Sequence, residues 1–384
     1  IAIGNYALGG ATFAAEATIA IGYQAGDAIS SGARNTAVGY QSLSTIVTAS
    51  DSTAVGYQAL TADTGGSNTA IGSGAGDGIT TGTGNVAIGL NALGGASFGA
   101  ATNNIGIGNG AGDAIAASGN QNILIGTDAG GAITTGDDNV AIGYQALDAP
   151  TTQGQNIAIG TDALGAATYA AAANIAIGYF AGDAMTIGVR NTAVGWTALS
   201  AITTGGDSTA VGYNALALDT SGRNTAVGSG ALDANTTGAD NIAIGNNALG
   251  AASTSSFNIA IGNLAGVGIT TAGHRNLLIG QAAGTSITSG DDNICLGDSS
   301  GQGFTTQGQN IAIGVTALGS PSYAAAANIA IGYQSMDAAT SGVRNTAVGW
   351  TSLSAIVTAN DSTAVGYNAL ALDTGGSNTA VGSG

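Results

Sequence analysis

The chain has 384 residues, of which 67 are Gly, 2 are Pro and 7% are charged, with no Lys. A hydrophobic fraction of 44% excludes disorder, and the scarcity of Pro excludes collagen. The net charge of −17, from 22 acidic residues against 5 Arg, argues against nucleic acid and anionic membranes as partners.

Along the chain one motif returns throughout: Asn, then Ile, Val or Thr, then Ala, then Ile or Val, then Gly. Its glycine falls at Gly4, Gly22, Gly39, Gly56, Gly72, Gly89, Gly108, Gly126, Gly143, Gly160 and Gly178. It continues at Gly195, Gly212, Gly228, Gly245, Gly262, Gly280, Gly297, Gly314, Gly332, Gly349, Gly366 and Gly382. These 23 glycines lie 16 to 19 residues apart, about 17 on average. That period is too short for a helical-hairpin repeat or a propeller blade. β-Branched residues beside the central Ala favour a strand. The predicted fold is therefore all-β, a parallel β-solenoid (β-roll) running as one continuous array over residues 1–384. Each coil is predicted to hold a short strand, the Gly turn, a second short segment such as Tyr144-Gln145-Ala146-Leu147, and a polar return such as Ile133-Thr134-Thr135-Gly136. At about 4.8 Å per coil the 22 intervals would span about 105 Å. Because the chain begins at Ile1 and ends at Gly384 inside the motif, a fragment of a longer protein is expected. No apolar run approaches the ~18 residues of a membrane helix, so no membrane insertion is expected of this segment.

Strict alternation puts Ile157 and Ile159 on one face of the strand and Ala158 on the other. The flanking pair is expected inside, as stacked aliphatic ladders. The Ala face is expected outside, where another sheet or chain could approach closely. Three residues past the motif Gly stands Ala or Ser, as at Ser42, Ala59 and Ser300, which predicts a tight internal corner. Asn opens the motif in 18 of 22 coils, as at Asn35, Asn156 and Asn191. With Gly39, Gly160 and Gly195 these residues define the expected structural ladders, in which Asn side chains hydrogen-bond along the stack.

A longer period overlies the coil. Gly39, Gly56 and Gly72 match Gly195, Gly212 and Gly228, and then Gly349, Gly366 and Gly382, at offsets of 156 and 154 residues, or nine coils each. Each block carries three successive aromatics just after the Gly: Tyr23, Tyr40, Tyr57; Tyr179, Trp196, Tyr213; Tyr333, Trp350, Tyr367. These are expected to stack as short ladders that cover the coil edge. The alternative is contact with a glycan or another partner at a fixed axial repeat. All five Arg lie five residues before a motif Gly, and each has an Asp seventeen residues on. The pairs Arg34–Asp51, Arg190–Asp207, Arg223–Asp240, Arg275–Asp292 and Arg344–Asp361 are expected to bridge neighbouring coils and help fix register.

The run Asn-Ile-Ala-Ile-Gly-x-x-Ala, as from Asn156 to Ala163, resembles the head repeats of YadA-like trimeric autotransporter adhesins. It is also similar to repeats in phage tail fibres, and the likeness covers essentially the whole chain. The resemblance implies a left-handed parallel β-roll, assembled as a homotrimer, displayed on a cell or virion surface and able to contact host or matrix surfaces.

Residues suited to chemistry are few. His274 is the only histidine, Glu16 the only glutamate and Cys295 the only cysteine, so no intrachain disulfide can form. His274 reads as a surface turn residue and Cys295 as a small packed side chain in the central motif position. Asp137-Asp138 and Asp291-Asp292 could suggest glycosidase carboxylates or a Ca²⁺ site, but both recur in one turn position, as solvated turns would. No catalytic residue, cofactor or metal is expected. The expected function is structural: a rod-like shaft of an extracellular fibre or adhesin that self-associates as a homotrimer or fibre, not an enzyme. A phage tail fibre shaft is the alternative. An ice-binding solenoid is a third class, which needs Thr rows facing water; sharing a face with Ile, the motif Thr is predicted to be buried. A β-helical polysaccharide enzyme is the fourth class, disfavoured by the residue inventory.

Overall fold

The structure, a computed structural model, describes residues 1–10, 16–95, 98–149, 152–166, 170–320 and 324–384. It comprises two compact units, Ile1–Asn191 and Thr192–Gly384. Each unit is a parallel β-solenoid with about 17 residues per coil. The first holds eleven strands, from Ala2–Ile3 to Ile175–Ile177, and the second twelve, from Thr192–Val194 to Thr379–Val381. Among the described residues there is no helix, and so none long and apolar enough to cross a membrane.

Within each unit a strand pairs in parallel with those of the coils before and after, in matching register. Ala158 lies beside Ala141 and Ala176, and Ala243 beside Ala226 and Ala260. The motif Gly explains why the strand stops. Gly160 has φ +130°, outside the range of most L-residues, and a Cβ there would come within 2.5 Å of the Gly178 carbonyl oxygen. Gly39 in the first unit and Gly195 in the second, at φ +132° and +138°, hold the same place in the column of their own unit. The glycines thus stack backbone on backbone.

The two faces of the strand are the reverse of the sequence expectation. The central residue points inward: Ala243 is fully buried, while Ile242 and Ile244 beside it are 37% and 38% exposed. The same pattern of a buried centre and outward flanks holds along both units. The motif Thr therefore also faces outward, as at Thr36, Thr53, Thr209 and Thr346. Alternation fixes that Ala and its neighbours part company, but not which side is the core. The opposite wall decides. Leu from the turn, as at Leu147 and Leu249, and Ile from the return, as at Ile133 and Ile269, fill the interior and leave room only for a methyl group.

The exceptions to central Ala show how tight this fit is. Gly106 stands where a Cβ would meet Leu93 Cγ at 2.7 Å. Leu124 and Leu278 extend into space vacated by Gly130 and Gly284, whose Cβ atoms would lie 2.6 and 2.8 Å from the Leu Cδ2. Cys295 sits beside Gly301 and the buried Phe304. The Ala or Ser three residues after the motif Gly is buried, as at Ser42, Ala59 and Ser300, and lines the inner corner.

The segment after the Gly is not a second strand. Gln145 and Leu147 take left-handed conformations, φ 51° and 52°, with Ala146 between them. This alternation turns successive N–H groups up and down the stack. Gln145 N–H donates to Thr127 O in the preceding coil at 3.1 Å, and Leu147 N–H donates to Ala163 O in the following coil at 2.9 Å. Backbone groups are thereby paired without strand geometry.

Candidate functional site

The most ordered polar feature is the Asn ladder, buried in both units. Asn258 shows its logic. Its Oδ1 accepts from the backbone N–H and the Nδ2 of Asn276, at 3.0 and 3.1 Å. Its Nδ2 donates to Gly273 O at 2.8 Å. Asn35 opens the same kind of row: its Nδ2 donates to Ala49 O and its Oδ1 accepts from Ser52 N–H, both at 2.9 Å. Asn156 passes the bond on to Asn174 N–H at 3.1 Å, and Asn191 donates its N–H to Asn174 Oδ1 at 2.8 Å.

Where Ser replaces Asn, the Oγ still accepts the next coil's N–H, at 3.3 to 3.4 Å from Asn68, Asn224 and Asn378, and an Asp of the same coil adds the bonds that the amide would make. Ser52 Oγ donates to Asp63 Oδ2 at 2.7 Å. Asp63 Oδ1 accepts from the N–H groups of Gly65 and Gly66 and from Asn68 Nδ2, at 3.0 to 3.1 Å. In the second unit Asp219 accepts from Ser221, Asn224 and Asn235. Asp63 and Asp219 are not among the residues the motif singles out. A signal for them does exist: the three coils of 16 residues all begin with Ser-Thr-Ala-Val-Gly and all carry this Asp, at Asp63, Asp219 and Asp373.

The charged pairs bridge neighbouring coils. Arg34 meets Asp51 through Nε and Nη2 at 2.6 and 2.8 Å. Arg223 meets Asp240 at 2.9 and 3.1 Å, Arg275 meets Asp292 at 2.7 and 3.1 Å, and Arg344 meets Asp361 at 2.7 and 2.8 Å. The guanidinium holds each of these carboxyls below its ordinary range, chiefly by the side-chain hydrogen bond. Arg190 belongs to the first unit and Asp207 to the second.

The aromatics stand past the Gly turn, on the surface. Tyr23, Tyr40 and Tyr57 stack face to face, with ring centroids 5.1 and 5.2 Å apart and planes within 15°. Tyr333 and Trp350 lie 4.4 Å apart, tilted by 30°. Tyr179 stands in the first unit, Trp196 and Tyr213 in the second, and Tyr367 completes the last block. In each block the last ring is the most exposed: Tyr57, Tyr213 and Tyr367 at 53, 57 and 56%.

The residues considered for chemistry are engaged in stacking. His274 Nδ1 accepts from Ser256 N–H at 3.0 Å, and the His274 backbone N–H donates to Asp291 Oδ1 at 2.7 Å. Asp137 accepts from Asn120 N–H at 2.6 Å. Cys295 is buried, and burial pushes its thiol up, away from the reactive thiolate. Asp113, Asp128, Asp148, Asp162 and Asp183 form an acidic stripe over five successive coils of the first unit. Burial, then the Asp128 and Asp113 carboxylates, push Asp148 up to about 6. Among the described residues no group of three or more His, Cys, Asp or Glu is placed to hold a metal ion.

Fold and surface together define a β-solenoid repeat protein. No family model, no curated protein and no solved structure matches the chain.

Proposed function

We propose that the chain is a structural segment of an extracellular fibre or adhesin, a shaft built by self-association, with a homotrimer as the assembly. The observation that carries this reading is the outward apolar face. Six consecutive coils in each unit, from Val86 to Ile177 and from Ile242 to Ile331, present aliphatic residues at both outward strand positions. At about 4.8 Å by about 10 Å per coil, each strip covers on the order of 300 Å², the size at which an apolar patch marks an interaction surface. A flat strand face made of Ile and Val can pack against copies of itself. The uniform coil supports a shaft, since a rod under load needs every turn alike. The resemblance to adhesin head repeats supports display outside the cell and contact with host or matrix surfaces. A phage tail fibre shaft would use the same surface.

The outward Thr removes the objection that the motif Thr is buried in an ice-binding reading. The Thr rows nevertheless run for only three coils, as at Thr36, Thr53 and Thr69, before Val86 ends them. The shaft remains the better supported reading.

Sedimentation equilibrium tests it. The wild-type chain should sediment as a trimer. The pair Ile259→Lys and Ile294→Lys, on the outward face, should give a folded monomer with unchanged β circular dichroism. A wild-type chain that stays monomeric at high concentration would sink the reading.

A further inference from the structure

The aromatic ladders that end at Tyr57 and Tyr213 are each followed by a coil with no ring. After Tyr57 the next coil carries Ser73 in the ladder position, and after Tyr213 it carries Ser229. Tyr40 covers one face of Tyr57, at 5.2 Å and 11° between planes. The other face looks toward Ser73, where no ring follows. The coil beyond carries Leu90, itself 50% exposed. Tyr57 and Leu90 are thus two coil rises apart, about 9.6 Å, which leaves a slot one saturated ring thick.

The edge of this slot is polar. A second ladder runs beside the tyrosines: Gln41 Nε2 donates to Gln24 Oε1 at 2.8 Å, and Gln58 Nε2 donates to Gln41 Oε1 at 3.1 Å. The direction of these bonds leaves Gln58 Oε1 facing the next coil, where Gly74 offers no side chain. From above, the Asn91 side chain leans over Gly74, so that a Cβ there would overlap its Oδ1. Among the described residues neither Gln58 Oε1 nor Asn91 Oδ1 accepts a hydrogen bond. The second unit keeps Tyr213 below, Ser229 at the back and Asn247 leaning over Gly230, but Asn246 stands in place of Leu90, with its Nδ2 donating to Ser229 O at 3.4 Å, and Asn214 Oδ1 accepts from Thr197 Oγ1.

We propose that each missing rung is a binding slot for one pyranose ring of a neutral glycan. An apolar ring face takes the C–H face of a sugar, and the amides and hydroxyl around it take sugar hydroxyls. An aromatic side chain from a partner would fill the same gap but would make no use of the Gln58 and Asn91 amides. The net charge of −17 disfavours sialylated or sulfated chains. The slot lies past the Gly turn from the outward strand rows, so the proposal does not depend on how many chains form the shaft.

Neutral hexaoses of glucose, mannose, galactose and N-acetylglucosamine, titrated into the full chain by calorimetry, test it. At least one should bind saturably. The double variant Ser73→Tyr/Ser229→Tyr adds the missing rung and should weaken that binding about tenfold or more, with thermal unfolding unchanged or raised. Tyr57→Ala/Tyr213→Ala should weaken it similarly. Three outcomes overturn the proposal: no hexaose binds the wild type, affinity survives in both variants, or adding the rung changes only the sedimentation of the chain, which would mark the slot as a contact for a second copy. A failure of trimer formation in the Ile259→Lys/Ile294→Lys chain, with hexaose binding intact, would separate this proposal from the shaft reading.

Discussion

Replacing Asn258 by Ala probes the interaction on which coil stacking most depends. The substitution removes five hydrogen bonds, but not all five partners are stranded: the Ser256 carbonyl keeps the Arg275 N–H at 3.3 Å. Asn276 Nδ2 keeps Gly290 O at 2.9 Å, and Asn241 Oδ1 keeps the Asn258 N–H at 3.0 Å. Two groups lose their only partner: the Asn276 N–H and the Gly273 carbonyl, both held by the lost side chain at 3.0 and 2.8 Å. A buried polar group left unpaired costs about 1–3 kcal/mol, so the variant should lose about 2–5 kcal/mol. In a stacked repeat this loss is local, at the junction between the Gly262 and Gly280 coils. Native-state hydrogen exchange at the Asn276 amide measures it directly. Asn258→Ser should lose less than Asn258→Ala, because a Ser Oγ here can still accept the Asn276 N–H, as Ser52 Oγ accepts from Asn68 N–H at 3.4 Å. An Asn276 amide whose opening free energy changes by less than about 0.5 kcal/mol would refute the account of the ladder.

Two further outcomes follow from the core and the acidic stripe. Ala243→Val should destabilise by about 1–3 kcal/mol in urea unfolding, through overpacking of a core that admits only a methyl group, whereas Ile244→Ala should leave a monomer's stability nearly unchanged. Equal effects would reverse the assignment of faces. Asp148, raised to about 6, binds its proton more readily folded than unfolded. Its carboxylate therefore opposes folding, fully above about pH 6, and the opposition fades as pH falls from there to the ordinary Asp value of 3.8. Asp148→Asn should stabilise the chain by about 1 kcal/mol at pH 7.5, a figure reduced for the half-exposed position, and by almost nothing at about pH 3. A gain that does not change with pH would rule out the carboxylate as its source.

The coil and its period are legible in the sequence because Gly160 and its counterparts allow no substitute: the backbone of the next coil occupies the place of a side chain. The direction of the strand is not legible. A three-residue strand such as Ile157–Ile159 carries two large residues and one small one, and burial of the larger pair is the default expectation. That default fails here because the interior is already filled from the opposite wall by Leu147 and Ile133, so the strand can add only a methyl group. The Asn row is legible from its recurrence, whereas Asp63 and Asp219 require noticing that a missing Asn coincides with a shortened coil. The alternation of left-handed residues at Gln145 and Leu147 escapes propensity, because Leu is a poor candidate for that conformation and takes it here under the demand of backbone pairing.

The five arginines have one more consequence. A trypsin-like protease needs Lys or Arg at its specificity pocket, carried on a chain it can draw out at an accessible site. This chain has no Lys. Arg34, Arg190, Arg223, Arg275 and Arg344 all sit in left-handed turns, φ 56° to 59°, and four of them are clasped to an Asp of the next coil. Wherever digestive or host proteases of that specificity are abundant, the folded surface presents them with no scissile bond in a form they can grip.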